Sequence, residues 1–397
     1  MTVAQRTQLF EVVWRAIETR SADPSHGGVD WAAIKEEFAP RIAAASTEGE
    51  VDTLLTEMVG RLGDQAVYWP RSVDQPSPGP AGIGIVYAWE PAEERIDLRV
   101  LYVMPGGPAD RAGLHERDRI LAIDGDSCMT GPTSLRGEPG TSVELLVRSP
   151  GCVARYLTVE REEHQLVVTP ETRVVTADDG RRTGYLRVPN LDQPDAGHAV
   201  VVALNDLLAN GPLDAIVLDL RWTWGSNDGA IDTIAGQFLS GVVAHVHDRD
   251  GTTDWTLPAG ELSAQLEDTH LVVAIDHHTS GPAELLAGIL HGSGRAVTIG
   301  EPTTGDSKSY QGIDLSGGRW LSLLTPIDVP PGDTPITPVP VDVFVPGDGL
   351  SVREEDDPVL AKALDSSGGY SGSGDLIPLA TPAPACWSDL LASVAGS

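Results

Sequence analysis

Ala215-Ile216-Val217-Leu218-Asp219-Leu220, and again Leu271-Val272-Val273-Ala274-Ile275, are short apolar runs bounded by polar residues. A run apolar on both faces, and too short for a helix, reads as a strand covered on both sides, as in a parallel sheet packed between helices. Each run feeds a loop containing glycine, Gly225 after the first and Gly281 after the second. Gly281 as N-cap, Pro282 at the first helical position and Glu284 at the third make a sound helix start before Leu285–Leu290. Strand, loop and helix repeated in this order predict an α/β core over residues 166–346.

Upstream the periodicity changes twice. Leu9, Phe10, Val13 and Ile17 recur at helical spacing, as do Ile34, Phe38 and Ile42, then Leu55, Met58, Val59 and Leu62, so residues 1–75 read as a helical region. Pro70–Pro80 has the Pro- and Ser-rich composition of a linker. Residues 76–165 show short alternating strands and turns such as Pro105-Gly106-Gly107-Pro108, the pattern of a small β-domain. Residues 347–397 read as a C-terminal helix and a flexible tail, with low-complexity sequence at Ser366–Gly374. At 397 residues the chain is long enough for two or three such domains.

The chain carries 27 basic and 58 acidic residues, a net charge of −31. That excess repels nucleic acid and anionic membranes, so neither is expected as a partner. Only three of the basic residues are lysines, Lys35, Lys308 and Lys362. Cys128, Cys152 and Cys386 are widely spaced and odd in number, which fits neither a disulfide framework nor a zinc pattern. Met1–Arg20 carries charges throughout, without the apolar stretch of a signal peptide. The expectation is a cytoplasmic protein with reduced thiols. No cofactor and no metal site is indicated; His245 and His247 alternate as strand residues do, with no third ligand apparent.

Gly82-Ile83-Gly84-Ile85, with Pro108-Ala109, Ala112-Gly113-Leu114, Asp118-Arg119-Ile120 and Asp124-Gly125, resembles a PDZ domain. Its glycine-flanked loop Gly82–Ile85 would present backbone N–H groups to a peptide's C-terminal carboxylate beside an open strand edge. Arg117 departs from the pattern, which usually has a turn glycine there. Asp219-Leu220-Arg221-Trp222-Thr223-Trp224-Gly225-Ser226 and Phe238-Leu239 resemble a conserved block of the C-terminal processing peptidases, or tail-specific proteases. Thr279–Gly288, Gly294-Arg295-Ala296, Gly300-Glu301-Pro302-Thr303 and Gly305 match another without a gap. The resemblance covers roughly residues 5–365 and implies an α/β fold of helical region, PDZ domain and a strand-helix spiral similar to the crotonase superfamily.

Such proteases use a serine nucleophile, a lysine base and backbone N–H groups for the oxyanion. Carried over one position at a time, the serine's place is Gly281, three before Glu284, and the lysine's place is Asp306. One oxyanion donor falls on Pro282, which has no N–H; the other falls near Gly225, which can donate. Glycine offers nothing to acylate, and losing one oxyanion donor typically costs about a hundred- to a thousand-fold in rate. The ionisable groups around the old site are Asp306, His277 and His278, with Trp222 and Trp224 as candidate walls of an apolar pocket. These residues point to a repurposed enzyme acting on a small molecule or an acyl or peptidyl intermediate by acid-base chemistry. One alternative is a catalytically inactive protein that binds a peptide or ligand, the peptide C-terminus being the PDZ partner. Another is a serine peptidase with a displaced Ser280/Lys308 dyad.

Overall fold

The computed structural model describes residues 1–70, 81–92, 95–127, 135–164, 167–305, 307, 310–329, 334–347 and 356–366. The expected linker apart from Pro70, and the expected low-complexity tail beyond Ser366, lie outside these residues. By compactness the chain divides into two units, residues 1–76, 242–256 and 308–336 in one and 77–241, 257–307 and 337–397 in the other.

In chain order, helices α1 (Val3–Arg20), α2 (Trp31–Ala44) and α3 (Glu48–Gly60) precede strand β1 (Ala66–Trp69). Then come β2 (Ile85–Ala92), β3 (Arg95–Val103), α4 (Pro108–Arg111), β4 (Arg119–Ile123), β5 (Asp126–Ser127), β6 (Ser142–Arg148) and β7 (Arg155–Glu160). Next are β8 (Glu171–Thr176), β9 (Arg182–Arg187), α5 (Ala196–Leu208), β10 (Ala215–Asp219) and α6 (Gly229–Ala235). The hairpin β11 (Gly241–Asp248) and β12 (Gly251–Leu257) leads to α7 (Ser263–Leu266), β13 (His270–Ile275), α8 (Pro282–Gly292) and β14 (Ala296–Gly300). Last are β15 (Tyr310–Leu315), β16 (Arg319–Leu324), β17 (Ile327–Val329), β18 (Thr334–Pro335), β19 (Val343–Phe344) and α9 (Pro358–Ser366).

In the first unit, the apolar stripes read from the sequence meet in one cluster containing Phe10, Val13, Ile17, Phe38, Ile42, Leu55 and Met58. Capping boxes start two of its helices: Thr2 with Gln5 on α1 and Thr47 with Glu50 on α3. The cluster closes on Leu321 and Leu323 of the sheet β1-β16-β15, where Ala66 pairs with Leu323 and Trp69 with Trp320.

In the second unit, β2-β3-β4-β6-β7 form the sheet of the PDZ domain over a core of Ile83, Leu98, Val100, Ile120, Val143 and Leu145. Arg117 keeps the left-handed turn expected of glycine, at φ 69°, and its N–H donates to Val100 O at 2.9 Å. Non-glycine residues reach that region at a cost, so the departure read from the sequence altered the residue and left the turn in place. Cys152 is disulfide-bonded, which corrects the expectation of reduced thiols; Cys128 and Cys386 lie outside the described residues.

The core sheet runs β19-β14-β13-β10-β9-β8, parallel except for β8. All five residues of β10 are buried, as the unbroken run predicted. Helix α9 covers one face, with Val359, Leu360, Ala363 and Leu364 against Val217, Val272, Ala274 and Ile299. At the end of β10, Arg221 is 1% exposed and sits between two carboxylates. Its Nε donates to Asp219 Oδ1 (2.9 Å), Nη1 to Asp357 Oδ1 (3.0 Å) and Nη2 to Asp219 Oδ2 (2.6 Å). Asp357 also accepts the N–H groups of Val359 and Leu360 at the start of α9. Arg187 joins the PDZ domain to the core sheet: Nη1 reaches Glu116 (3.1 Å) and Glu171 (2.6 Å), and Nη2 reaches Leu101 O (3.0 Å).

Removing one partner of a buried pair leaves an uncompensated charge, so Asp357→Ala is expected to lower stability by about 3–5 kcal/mol. Urea denaturation checks this, and a loss below about 1 kcal/mol is incompatible with the clamp.

Candidate active site

Two loops meet at the carboxyl ends of the core strands, one after β10 and one after β13. The buried Asp276 ties them together. Its Oδ1 accepts the N–H of Trp222 from the first loop (3.2 Å) and of His278 from the second (3.0 Å). Thr279 Oγ1 accepts the Asp276 N–H (3.0 Å) and donates to Leu220 O (2.9 Å), and the Ser280 N–H donates to Thr223 O (3.0 Å). Asp276 Oδ2 is buried with no hydrogen-bond partner. Burial pushes the carboxyl up to about 6, against the opposing pull of the Trp222 and His278 N–H groups. That Asp276 is the buried tie between the loops follows only from tertiary packing.

Gly281 is the N-cap of α8, with Pro282 at the first helical position, as read from the sequence. Its backbone sits at φ 61° and ψ −137°, a region that residues with a β-carbon avoid. A β-carbon there would lie 2.7 Å from Gly225 O. Gly225 is equally constrained, since its own β-carbon would come within 2.5 Å of Leu191 O. The Gly225 N–H has no partner among the described residues.

Glu284 is fully buried and reaches away from the start of its own helix. Its Oε1 accepts the N–H of Gly305 and its Oε2 that of Ser307, both at 2.8 Å. From three residues beyond Gly281, the carboxylate thus grips the chain on both sides of position 306. Asp306 and Lys308 themselves lie outside the described residues. The helix-start role expected of Glu284 gives way to this clamp, which a single sequence carries no local signal for.

The other candidates fall as follows. Trp222 is left-handed at φ 59° and 1% exposed, packed with Val86, Leu101, Tyr102 and Val168. It is a core residue stacked on His278, ring centroids 3.4 Å apart, rather than the wall of an open pocket. Trp224 is the more exposed of the two tryptophans. His277 lies 3.9 Å from the His278 ring, and its Nδ1 is 3.1 Å from Glu301 Oε2. Ser280 is half-buried. His245 pairs with Asp254 (2.9 Å) and His247 with Asp328 (2.8 Å) in the other unit. No helix among the described residues is long and apolar enough to cross a membrane.

Residues 182–342 match peptidase family S41, residues 99–149 a PDZ domain and residues 2–60 the C1 domain of tricorn protease. The chain is 30% identical to carboxyl-terminal-processing peptidase 2, chloroplastic, of Arabidopsis thaliana, over 85% of this chain and 68% of that protein. It is 29% identical to the carboxyl-terminal-processing protease of Picosynechococcus sp., over 78% of this chain and 75% of the other. Among solved structures, the photosystem II D1 C-terminal processing protease superposes with a TM-score of 0.59 at 23% identity, covering 86% of this chain and 92% of that one.

A folded-state value above the ordinary aspartate range means that the fold favours the protonated Asp276. The stability this contributes is complete below about pH 4 and is lost as pH rises through about 6. Asp276→Asn, close in shape to the neutral acid, is expected to remove up to about 3 kcal/mol of the decline in stability over that window. Chemical denaturation at several pH values checks this; a variant whose pH dependence parallels the wild type rejects it.

Proposed function

The chain belongs to the carboxyl-terminal-processing peptidases of peptidase family S41, and we propose that it acts without that family's Ser/Lys hydrolysis. In this reading it is a repurposed enzyme that holds a small molecule or an acyl or peptidyl group and moves protons on it. The observation that carries the reading is the backbone at Gly281. Its positive φ and the nearness of Gly225 O leave no room for a serine side chain, and Pro282 removes an N–H where an oxyanion would need one.

The Gly225 N–H is then the group that polarises a substrate carbonyl. Asp306 and His278 are the proton-transfer pair, with imidazole suited to exchange near neutral pH. His278 is assigned this role because its N–H is tied to Asp276 Oδ1, in the loop that leads to Gly281. Glu284 holds the backbone N–H groups of Gly305 and Ser307, the neighbours of position 306 in sequence.

A second reading, a catalytically inactive peptide-binding protein, is favoured by the PDZ loop. Gly84 sits at φ 77°, and the N–H groups of Ile83 and Gly84 have no partner among the described residues. Strand β2 pairs only with β3 among the described strands, leaving an edge for an added peptide strand.

An unfolded substrate with an apolar C-terminus is expected to stay intact in the presence of the wild-type chain. Cleavage abolished by Ser280→Ala or Lys308→Ala would overturn the proposal in favour of a displaced dyad. Gly281→Ser is expected to lower stability by about 1–3 kcal/mol and to restore no hydrolysis. Once a substrate is identified, Asp306→Asn and His278→Ala should each lower its turnover; full activity in both removes the assignment and leaves the binding role.

A further inference from the structure

The face of the PDZ sheet opposite its apolar core carries three arginines in a row, of which Arg99 is buried. Arg99 on β3 is directly opposite Arg119 on β4, and Arg119 is directly opposite Arg148 on β6. Like charges facing one another across strands repel, so the row needs compensation. At one end it has it: Glu90 on β2 accepts from Arg99 Nη2 (2.9 Å) and Arg119 Nε (2.8 Å). Asp97, opposite Glu90 in the β2–β3 register, stands at that same end. At the other end, Arg148 is half-buried and has no carboxylate partner among the described residues.

These three arginines line a cavity of about 290 Å³ together with Ser149, Pro150 and Gly151. The turn that closes it is well held. The Cys152 N–H donates to Ser149 O at 3.0 Å, and Cys152 is disulfide-bonded. Ser149 Oγ accepts from Arg155 Nη1 (2.7 Å), which leaves its own O–H to donate. The Gly151 N–H has no partner among the described residues. An unpaired guanidinium, a hydroxyl and a backbone N–H therefore border one small cavity in a chain whose net charge is −31.

We propose that this cavity binds a small oxyanion of the phosphate type, either inorganic phosphate or the phosphate of a small monoester, with Arg148 as its principal partner. The planar guanidinium offers paired donors matched to phosphate oxygens. A dianion also relieves the repulsion along the row better than a single carboxylate does. The cavity lies on the sheet face opposite the domain's apolar core, and Arg99 at its inner end lies over the Trp222 ring, 5.7 Å from its centroid.

Calorimetric titration of the full chain tests this, with inorganic phosphate, glycerol phosphate and acetate at matched ionic strength and chloride as the control. Phosphate is expected to bind at about 1 mM or tighter and acetate at least about tenfold more weakly. Arg148→Gln should weaken phosphate at least about tenfold, with Arg148→Lys losing less. The unliganded melting temperature of Arg148→Gln should be unchanged, because no ion pair among the described residues is broken. Glycerol phosphate binding more tightly than phosphate assigns a monoester; weaker binding assigns inorganic phosphate. Absence of phosphate binding, or equal affinity in Arg148→Gln, overturns the proposal.

Discussion

Arg221 is held between two buried carboxylates, and the geometry of the candidate site descends from that clamp. Asp219 and Asp357 fix the end of β10 and the start of α9 to the same guanidinium. The next residue, Trp222, is left-handed, with its N–H on Asp276 and its ring on His278. Asp276 in turn holds the loop that ends in Gly281. The three links are covalently or electrostatically adjacent, so a change at Arg221 reaches Gly281 without crossing a solvent gap.

Much of this architecture was legible beforehand because it rests on patterns that burial imposes locally. The unbroken apolar runs of β10 and β13 required cover on both faces, and the Gly281-Pro282 start of α8 followed from N-cap and proline preferences. What escaped notice was long-range polar pairing. Glu284 was readable as a helix-start residue because that role is local; its bonds to Gly305 and Ser307 join positions about twenty residues apart in sequence. Trp222 looked available to a ligand because aromatic residues near glycine often are, yet packing against Val86, Leu101 and Tyr102 of a different domain buries it. The Cys152 disulfide was unreadable for a related reason, since an odd number of cysteines leaves pairing undetermined.

The site also shows how a fold is kept when the residues within it differ from a family's usual set. The tie through Asp276, the Glu284 clamp and the close approach of Gly225 to Gly281 are contacts of backbone and buried carboxylate. None of them involves a side chain at 281. The close approach of Gly225 to Gly281 thus depends on a residue at 281 that can hold this backbone without a β-carbon, as glycine does.

The pairing of β1 with β16 sets a condition on how the chain is made. Ala66 bonds in register with Leu323, and the apolar cluster of the first three helices closes only when Leu321 and Leu323 arrive. A ribosome has therefore to reach Leu323 before the cluster of the earliest helices, which pack on one another meanwhile, is complete. At typical synthesis rates of about 5–20 residues per second, that interval lasts on the order of ten seconds to a minute. The opening helices thus wait for a strand more than 250 residues downstream before their cluster is sealed.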